Sequence, residues 1–473
     1  MTADAVLLPG FVGTTLPDWV AERLRGGLAG VCLYGDNVES DAQLRSLVWQ
    51  IRQAKPDAIV AIDEEGGDVT RVHYADGSPY PGAALLGRID DVEATAVVGR
   101  AVADVLGWIG ADLNLAPVAD VNSDPRNPVI GVRSFGSDPA LVARHVAAFT
   151  RAHEAVGIAT SVKHFPGHGD TAADSHLALP VVDVPLEVLR ERDLPPFRAA
   201  IEAGARTVMT SHLLLPQIDP VNPATFSPRI LGDLLRGELG FEGVVVTDAL
   251  DMAGASDGIG IPAAAVRALA AGCDLLCLGT GGSAEQLDAI RDAVAGAIES
   301  GALAEDRLVD AAARVSALVE SLRGPRTAPV NGPNGPNGPT IDALMAAFAV
   351  APGAAPAPDA VIVVVQATAN IAVGHSPWGP PGDLDGVAVR RIAAGEPLPA
   401  DLAADAPVVL VAKDVHRHPM VAALADVVRA SRPGSIVVDM GWPSGPVDVA
   451  TYGGSAAVGI ALVQWLRDRG WGS

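Results

Sequence analysis

Between residue 6 and about residue 280, short apolar runs recur at intervals along the chain. They begin near Val6, Val31, Ile59, Leu113, Thr160, Thr207, Val244 and Leu275. Each run is too short for a helix and continuously apolar, the pattern of a strand buried on both faces. Most of the segments between them are rich in Ala, Arg and Glu and read as helices. Strands that alternate with helices form parallel sheets. Eight such units within roughly 300 residues predict an α/β fold, a (β/α)8 TIM-type barrel. The competing open, doubly wound sheet calls for a Gly-rich phosphate turn after its first strand. That turn reads Leu8-Pro9-Gly10-Phe11-Val12-Gly13, whose Gly spacing and Pro make a poor dinucleotide fingerprint.

The pattern breaks at residues 331–339, which read Asn-Gly-Pro three times. Such a tract forms neither helix nor central strand. Flanked by Arg323-Gly324-Pro325 and Pro329, it reads as a linker. The expected organisation is a catalytic barrel over 1–325, a linker over 326–340 and a second domain over 341–473. In the second domain Val361–Val365, Val408–Ala412 and Ile436–Val438 read as buried strands, with helices near 341–349, 420–430 and 455–468. The Pro/Ala-rich patch at 352–358 reads as an internal loop, and the whole as a smaller α/β sandwich.

Composition narrows the function. About half of the residues are hydrophobic (49%), which suits a packed α/β protein, and the net charge is -23. That charge repels nucleic acids and anionic membranes, so neither is expected as a partner, and a neutral small substrate fits better. Cys32, Cys273 and Cys277 lie in apolar surroundings and read as buried strand thiols rather than a disulfide framework. The first residues carry no basic, signal-like segment, and no apolar run is long enough to span a membrane, so a cytoplasmic location is the expectation.

The chemistry collects just after the strands, at the end of a barrel where active sites form. Asp63-Glu64-Glu65-Gly66-Gly67-Asp68-Val69-Thr70-Arg71 follows the third strand. Asp120 and then Arg133-Ser134-Phe135 follow the fourth. Lys163-His164-Phe165-Pro166-Gly167-His168-Gly169-Asp170 and Asp174-Ser175-His176 follow the fifth, Ser211-His212 the sixth, and Thr247-Asp248-Ala249-Leu250-Asp251-Met252 the seventh. One carboxylate at a strand end is commonly a helix cap. Ionisable groups at the same end of five successive strands converge on one pocket, where burial is costly unless function needs it.

His164 and His168 have the i, i+4 spacing of a zinc helix, but Pro166 and Gly167 stand between them and no glutamate completes the pattern. No metal or cofactor is expected. Asp174 and His176 suit acid–base work: the aspartate fixes the ring tautomer, and histidine exchanges a proton near neutral pH.

Together, the Asp-x-Glu-Gly-Gly loop, Arg-Ser-Phe, Lys-His-Phe-Pro-Gly-His-Gly with Asp-Ser-His, and Thr-Asp-Ala-Leu-x-Met resemble bacterial β-N-acetylglucosaminidases of glycoside hydrolase family 3. The resemblance covers the whole first domain and is to the branch with a histidine acid/base. It implies Asp248 as nucleophile forming a covalent glycosyl-enzyme, His176 as proton donor and acceptor, and Asp174 as its support. It implies Asp63, Arg71, Arg133, Lys163 and His164 as ligands of the terminal sugar's hydroxyls and N-acetyl group. The outcome is net retention, with a histidine in place of one of the usual two carboxyls. The implied partners are oligosaccharides or muropeptides containing N-acetylglucosamine.

Two departures stand out. Many members of that branch have only the barrel, whereas this chain resembles the two-domain form, with Ser431-Arg432-Pro433 and Asp439-Met440-Gly441-Trp442-Pro443 in the sandwich. The Glu64-Glu65 pair stands where a neutral residue is expected first, and either the pair adds negative charge near the pocket or Glu64 faces away. Three alternatives stay open. A neutral histidine admits phosphate as acceptor, with Gly279-Thr280-Gly281-Gly282-Ser283 as a phosphate cradle or merely a flexible loop. A metal-dependent barrel hydrolase would use His164, His168, His212 and Asp248. A non-catalytic sugar-binding barrel is the third.

Overall fold

The computed structural model describes residues 3–171, 179–324, 338–367, 372–384 and 387–472. The first part holds β1 (Leu7–Leu8), β2 (Gly30–Leu33), β3 (Ile59–Ile62), β4 (Leu113–Asn114), β5 (Ala159–Phe165), β6 (Thr207–Thr210), β7 (Val244–Val246) and β8 (Leu276–Cys277). β2 to β7 pair in sequence order, every pair parallel. β1 pairs with β8, a bridge from Val246 to Leu275 joins β7 to β8, and Cys32 N donates to Pro9 O at 3.0 Å between β1 and β2. The ring is therefore closed, a TIM-like barrel as expected.

Alternate strand residues serve two layers. Ile59 and Ala61 of β3 pack with Leu8, Cys32, Leu113 and Val246 in one cluster, while Val60 and Ile62 pack with residues of the surrounding helices in another. The helix Glu305–Leu322 adds Val315, Leu318 and Leu322 to the first cluster. Arg323, just past that helix, pairs with Asp57 ahead of β3 at 2.7 Å, so the helix closes the mouth opposite the strand C-termini. Side chains fix several helix starts: Ser40, Asp91, Asp138 and Ser283 each accept hydrogen bonds from backbone N–H groups of the first turn.

Cys32 and Cys277 lie on β2 and β8 as expected. Cys273 does not: it sits between the helix Ile261–Ala271 and β8, because the chain needs a short turn there to re-enter the barrel. All three thiols are buried and free.

The second part is built on one six-stranded sheet. Its order is Arg390–Ala393, Val361–Gln366, Val408–Ala412, Ile436–Asp439, Val449–Ala450, Ala349–Val350, and only the last pairing is antiparallel. Helices Ile341–Ala346 and Ala456–Arg467 pack on one face through Leu344, Leu462 and Trp465, and Pro419–Ser431 packs on the other through Val421 and Val428. The three buried strands and three helices expected here are present. The strands at 349–350, 390–393 and 449–450 were not foreseen, being too short or too polar to register as apolar runs. Most of the expected linker, residues 326–337, lies outside the described residues.

The two parts share an apolar and polar seam. Leu85, on the barrel helix Ala83–Ile89, joins the core of the second part. Arg88 donates to Ala347 O at 2.8 Å and lies over the Tyr452 ring. Arg417 donates to the carbonyls of Asn127 and Pro128. No helix among the described residues is long and apolar enough to cross a membrane.

Candidate active site

The loops that follow β3, β4, β5, β7 and β8 enclose a cavity of about 310 Å3 at the C-terminal end of the barrel. Asp63, Glu65, Arg71, Arg133, Lys163, His164, His168, Asp248 and Asp251 all line it. That volume falls at the small end of ligand sites, which run from roughly 300 to 1,000 Å3, and suits a single sugar ring.

Asp63 directly follows Ile62, the last residue of β3, and Lys163 and His164 are themselves the last turns of β5 before Phe165. Lys163 Nζ lies 2.6 Å from Asp63 Oδ1 and 2.8 Å from Glu65 Oε1. Arg133 grips the same Glu65 with two parallel bonds, Nε to Oε2 at 2.9 Å and Nη2 to Oε1 at 2.7 Å. Such a fork fixes orientation as well as charge. Burial pushes the Glu65 carboxyl up, but the Arg133 and Lys163 charges outweigh it and hold the group well below the usual carboxylate range. Burial likewise opposes the Lys163 charge, and Asp63 and Glu65 outweigh it, so Lys163 stays protonated. Glu65, Lys163 and Arg133 therefore face the pocket ionised.

A second network fixes the histidines. Asp120, fully buried, takes the His164 Nδ1 at 2.7 Å and accepts from the backbone N–H groups of His164 and His168 at 3.2 and 2.7 Å. Burial raises its carboxyl, and His164 together with the other donors brings it below its ordinary value. The His164 Nε2 is thereby turned toward Arg133, 3.5 Å away. His168 donates or accepts at Thr171 Oγ1, 3.1 Å from its Nδ1, and burial and the neighbouring His164 push it down to about 4, so it is neutral at physiological pH.

Glu64 faces away from the pocket. Its carboxylate accepts from the N–H groups of Arg71 and Val72 at 2.8 and 2.9 Å, and Asn114 at the end of β4 bonds its backbone on both sides. Full burial raises its pKa. The neighbouring acid, Glu65, is the one that adds charge to the pocket. The Arg71 guanidinium is held by two carbonyls of the second part, Ala372 at 2.6 Å and Val373 at 3.1 Å, and Ala372 itself lines the pocket.

Asp248 lies two residues past β7 and is half-buried; its Oδ1 accepts from Ala249 N at 2.8 Å. Asp174 and His176 fall outside the described residues. The structure thus brings together Asp248 and all five expected sugar ligands.

The histidine spacing that the metal-dependent alternative would use is not carried on a helix. His164 ends a strand rather than starting a helix turn, and both nitrogens of His212 are engaged, by Thr225 Oγ1 at 2.9 Å and Ala249 O at 3.1 Å. No group of three or more metal-ligating side chains occurs among the described residues. The segment 279–283 is packed at both ends. Ser283 caps the helix Ala284–Glu299, and the Asp251 carboxylate packs so closely on Gly279 that a Cβ there would lie 1.9 Å from it.

Sequence reasoning passed over Glu65, Asp120 and Asp251 as site residues. All three stood in the quoted segments, and the signal available was the number of cations that needed counter-charges. Tyr34, Met209 and Cys277, which also line the cavity, lie inside apolar runs and gave no signal.

Fold and pocket define a TIM-like barrel with a charged, sugar-sized cavity at its C-terminal end, where enzymes of this fold place their active sites. The family model for the glycosyl hydrolase family 3 N terminal domain matches residues 14–318. The β-hexosaminidase of Stenotrophomonas maltophilia (strain K279a) is 40% identical over 281 residues, 57% of this chain and 82% of that protein. Beta-hexosaminidase A of Pseudoalteromonas piscicida is 35% identical over 336 residues, 65% of this chain but only 56% of its own length. Among solved structures, the family 3 β-N-acetylglucosaminidase of Paenibacillus sp. str. FPU-7 superposes with a TM-score of 0.83 at 28% identity, covering 99% of this chain and 96% of that one. The chain belongs to glycoside hydrolase family 3, and the Stenotrophomonas and Pseudoalteromonas relatives are named β-hexosaminidases.

Proposed function

We propose that this protein is a retaining exo-β-N-acetylglucosaminidase that removes terminal β-linked N-acetylglucosamine from cell-wall fragments or chitin oligosaccharides. The observation that carries the reading is the pocket itself: one sugar-sized cavity lined by Asp248 together with the Asp63–Lys163–Glu65–Arg133 network. Relatives named β-hexosaminidase and the Paenibacillus β-N-acetylglucosaminidase support the substrate class.

In this reading Asp63, Arg71, Arg133, Lys163 and His164 hold the hydroxyls and N-acetyl group of the terminal sugar. The charged donors suit a polyhydroxylated ligand, since hydrogen bonds to ionised groups are the stronger kind. The Asp248 carboxylate attacks the anomeric carbon as the bond to the leaving oxygen breaks, and His176 gives that oxygen its proton. The neutral His176 then takes a proton from water, whose oxygen displaces Asp248 from the anomeric carbon. Two inversions give net retention. Asp174 keeps the His176 ring in one tautomer and stabilises its charged form.

Water rather than phosphate is the acceptor. Asp63, Glu65, Asp248 and Asp251 all line the cavity, and Asp251 packs directly on Gly279, so a phosphate entering there would meet carboxylates of its own sign. A panel of aryl β-glycosides, run with and without phosphate, tests the proposal. It predicts turnover of the N-acetylglucosaminide well above glucoside and xyloside, free N-acetylglucosamine as product, and the same rate in both buffers. A sugar 1-phosphate product, or a preference for the glucoside, overturns it.

A further inference from the structure

The loop from Asp63 to Arg71 supplies three of the pocket's charged side chains, Asp63, Glu65 and Arg71. The barrel holds its first residues, through Asn114 on the Glu64 backbone and through Lys163 and Arg133 on Asp63 and Glu65, while the Glu64 carboxylate ties the loop to its own Arg71 and Val72 amides. At Gly66 and Gly67 the backbone turns at φ +77° and +67°, and Gly67 sits so close to Gly82 that a Cβ would come within 2.3 Å of its Cα. This turn sends the crest of the loop away from the barrel and toward the second domain.

The crest is Asp68, and its buried carboxylate is satisfied entirely from that domain. Oδ1 accepts from Gly454 N at 2.7 Å, and Oδ2 lies 2.6 Å from Lys413 Nζ. Lys413 directly follows the strand Val408–Ala412 and Gly454 lies shortly past Val449–Ala450, with Ile436–Asp439 between the two in the sheet, and Lys413 is itself steadied over the Trp378 ring, 4.9 Å from its centre. Three residues beyond Asp68, Arg71 reaches the same domain at Ala372 and Val373.

We infer that the second domain positions the sugar-binding loop of the barrel, and that Asp68, held by Lys413 and the Gly454 amide, is the positioning residue through which it does so. The inference rests on the proposed function for what the loop binds. A buried carboxylate that loses one partner keeps its desolvation cost without compensation, so the loop moves toward water rather than stay. Asp63 and Arg71 flank Asp68 closely in the chain and move with it. Displacements near 1 Å are enough to weaken positioning severely.

The test uses the full chain with Lys413→Met. The expected result is a rise of about tenfold in KM for an aryl β-N-acetylglucosaminide and in Kd for N-acetylglucosamine, with kcat changed far less, as for lost ground-state binding. Melting stays cooperative, hydrogen exchange at residues 63–72 accelerates, and Lys413→Arg restores most of the affinity. Where K413M does not accumulate folded, Gly454→Ala replaces it: a Cβ there would lie 2.5 Å from Lys413 Cε and displaces the ammonium while keeping both charges. Folded variants with the KM, Kd and exchange of the parent overturn the inference, as does a loss confined to kcat. A parent protein without turnover of the aryl glycoside overturns the proposed function instead, and the exchange at 63–72 then still decides the positioning role.

Discussion

Lys163 and Asp63 meet at 2.6 Å at the ends of β5 and β3, and Glu65 closes the arrangement by bonding both Lys163 and Arg133. The four side chains balance one another's charge in a site that water scarcely reaches. Glu65→Gln breaks that balance and leaves two buried cations facing each other. The expected loss is about 3–5 kcal/mol of stability, read from the midpoint of urea unfolding. A midpoint equal to the parent's would show that the network contributes nothing to the fold.

His168 gives a pH signature with a definite sign. Its folded pKa is lowered to about 4, chiefly by burial, from an ordinary value of 6.5. Between those values the unfolded chain binds a proton that the native state refuses, so the contribution is fully present above about pH 6.5 and is lost as pH falls toward 4. Asp193 and Asp439, both pushed up to about 6 by burial, act with the opposite sign, so the histidine is read by difference. The stability advantage of the parent over His168→Asn shrinks by about 3 kcal/mol between pH 7 and pH 4. A difference that stays constant across that range contradicts the buried, neutral assignment.

Gly279 is a steric requirement of the pocket. Its φ is +85°, and a Cβ would lie 1.9 Å from the Asp251 carboxylate. Gly279→Ala combines backbone strain of about 1–3 kcal/mol with displacement of Asp251. Lowered melting temperature together with reduced kcat/KM is expected, and normal values for both would show that Asp251 has room to move.

Metal chemistry makes a separate claim on the same histidines. Because Asp120 holds His164 and both His212 nitrogens are engaged, exhaustive chelation leaves the rate unchanged. Loss of activity on chelation with recovery on adding zinc would reinstate the metal-dependent reading.

Much of this was legible in the sequence because the barrel strands are apolar on both sides. Thr207–Thr210 and Val244–Val246 begin where their apolar runs begin, and even two-residue β4 was marked by Leu113. The site was legible because Asp63, Lys163 and Asp248 fall just beyond those runs. What could not be read depends on tertiary placement. Glu64 and Glu65 are neighbours with opposite directions, one under the loop and one in the pocket, and nothing local distinguishes them. Arg71 spends its guanidinium on carbonyls some three hundred residues away. The polar edge strand Arg390–Ala393 is a strand only because Val361–Gln366 offers it an edge.

The most direct test of the account is the fate of Asp248 during turnover. Enzyme quenched while it processes a slow fluorinated aryl β-N-acetylglucosaminide is digested and weighed by mass spectrometry. The account predicts that the peptide containing Asp248 gains one glycosyl group, that the mass maps to that residue, and that Asp248→Asn carries none. A glycosyl group on any other residue, or a burst of aglycone with every peptide unmodified, contradicts it.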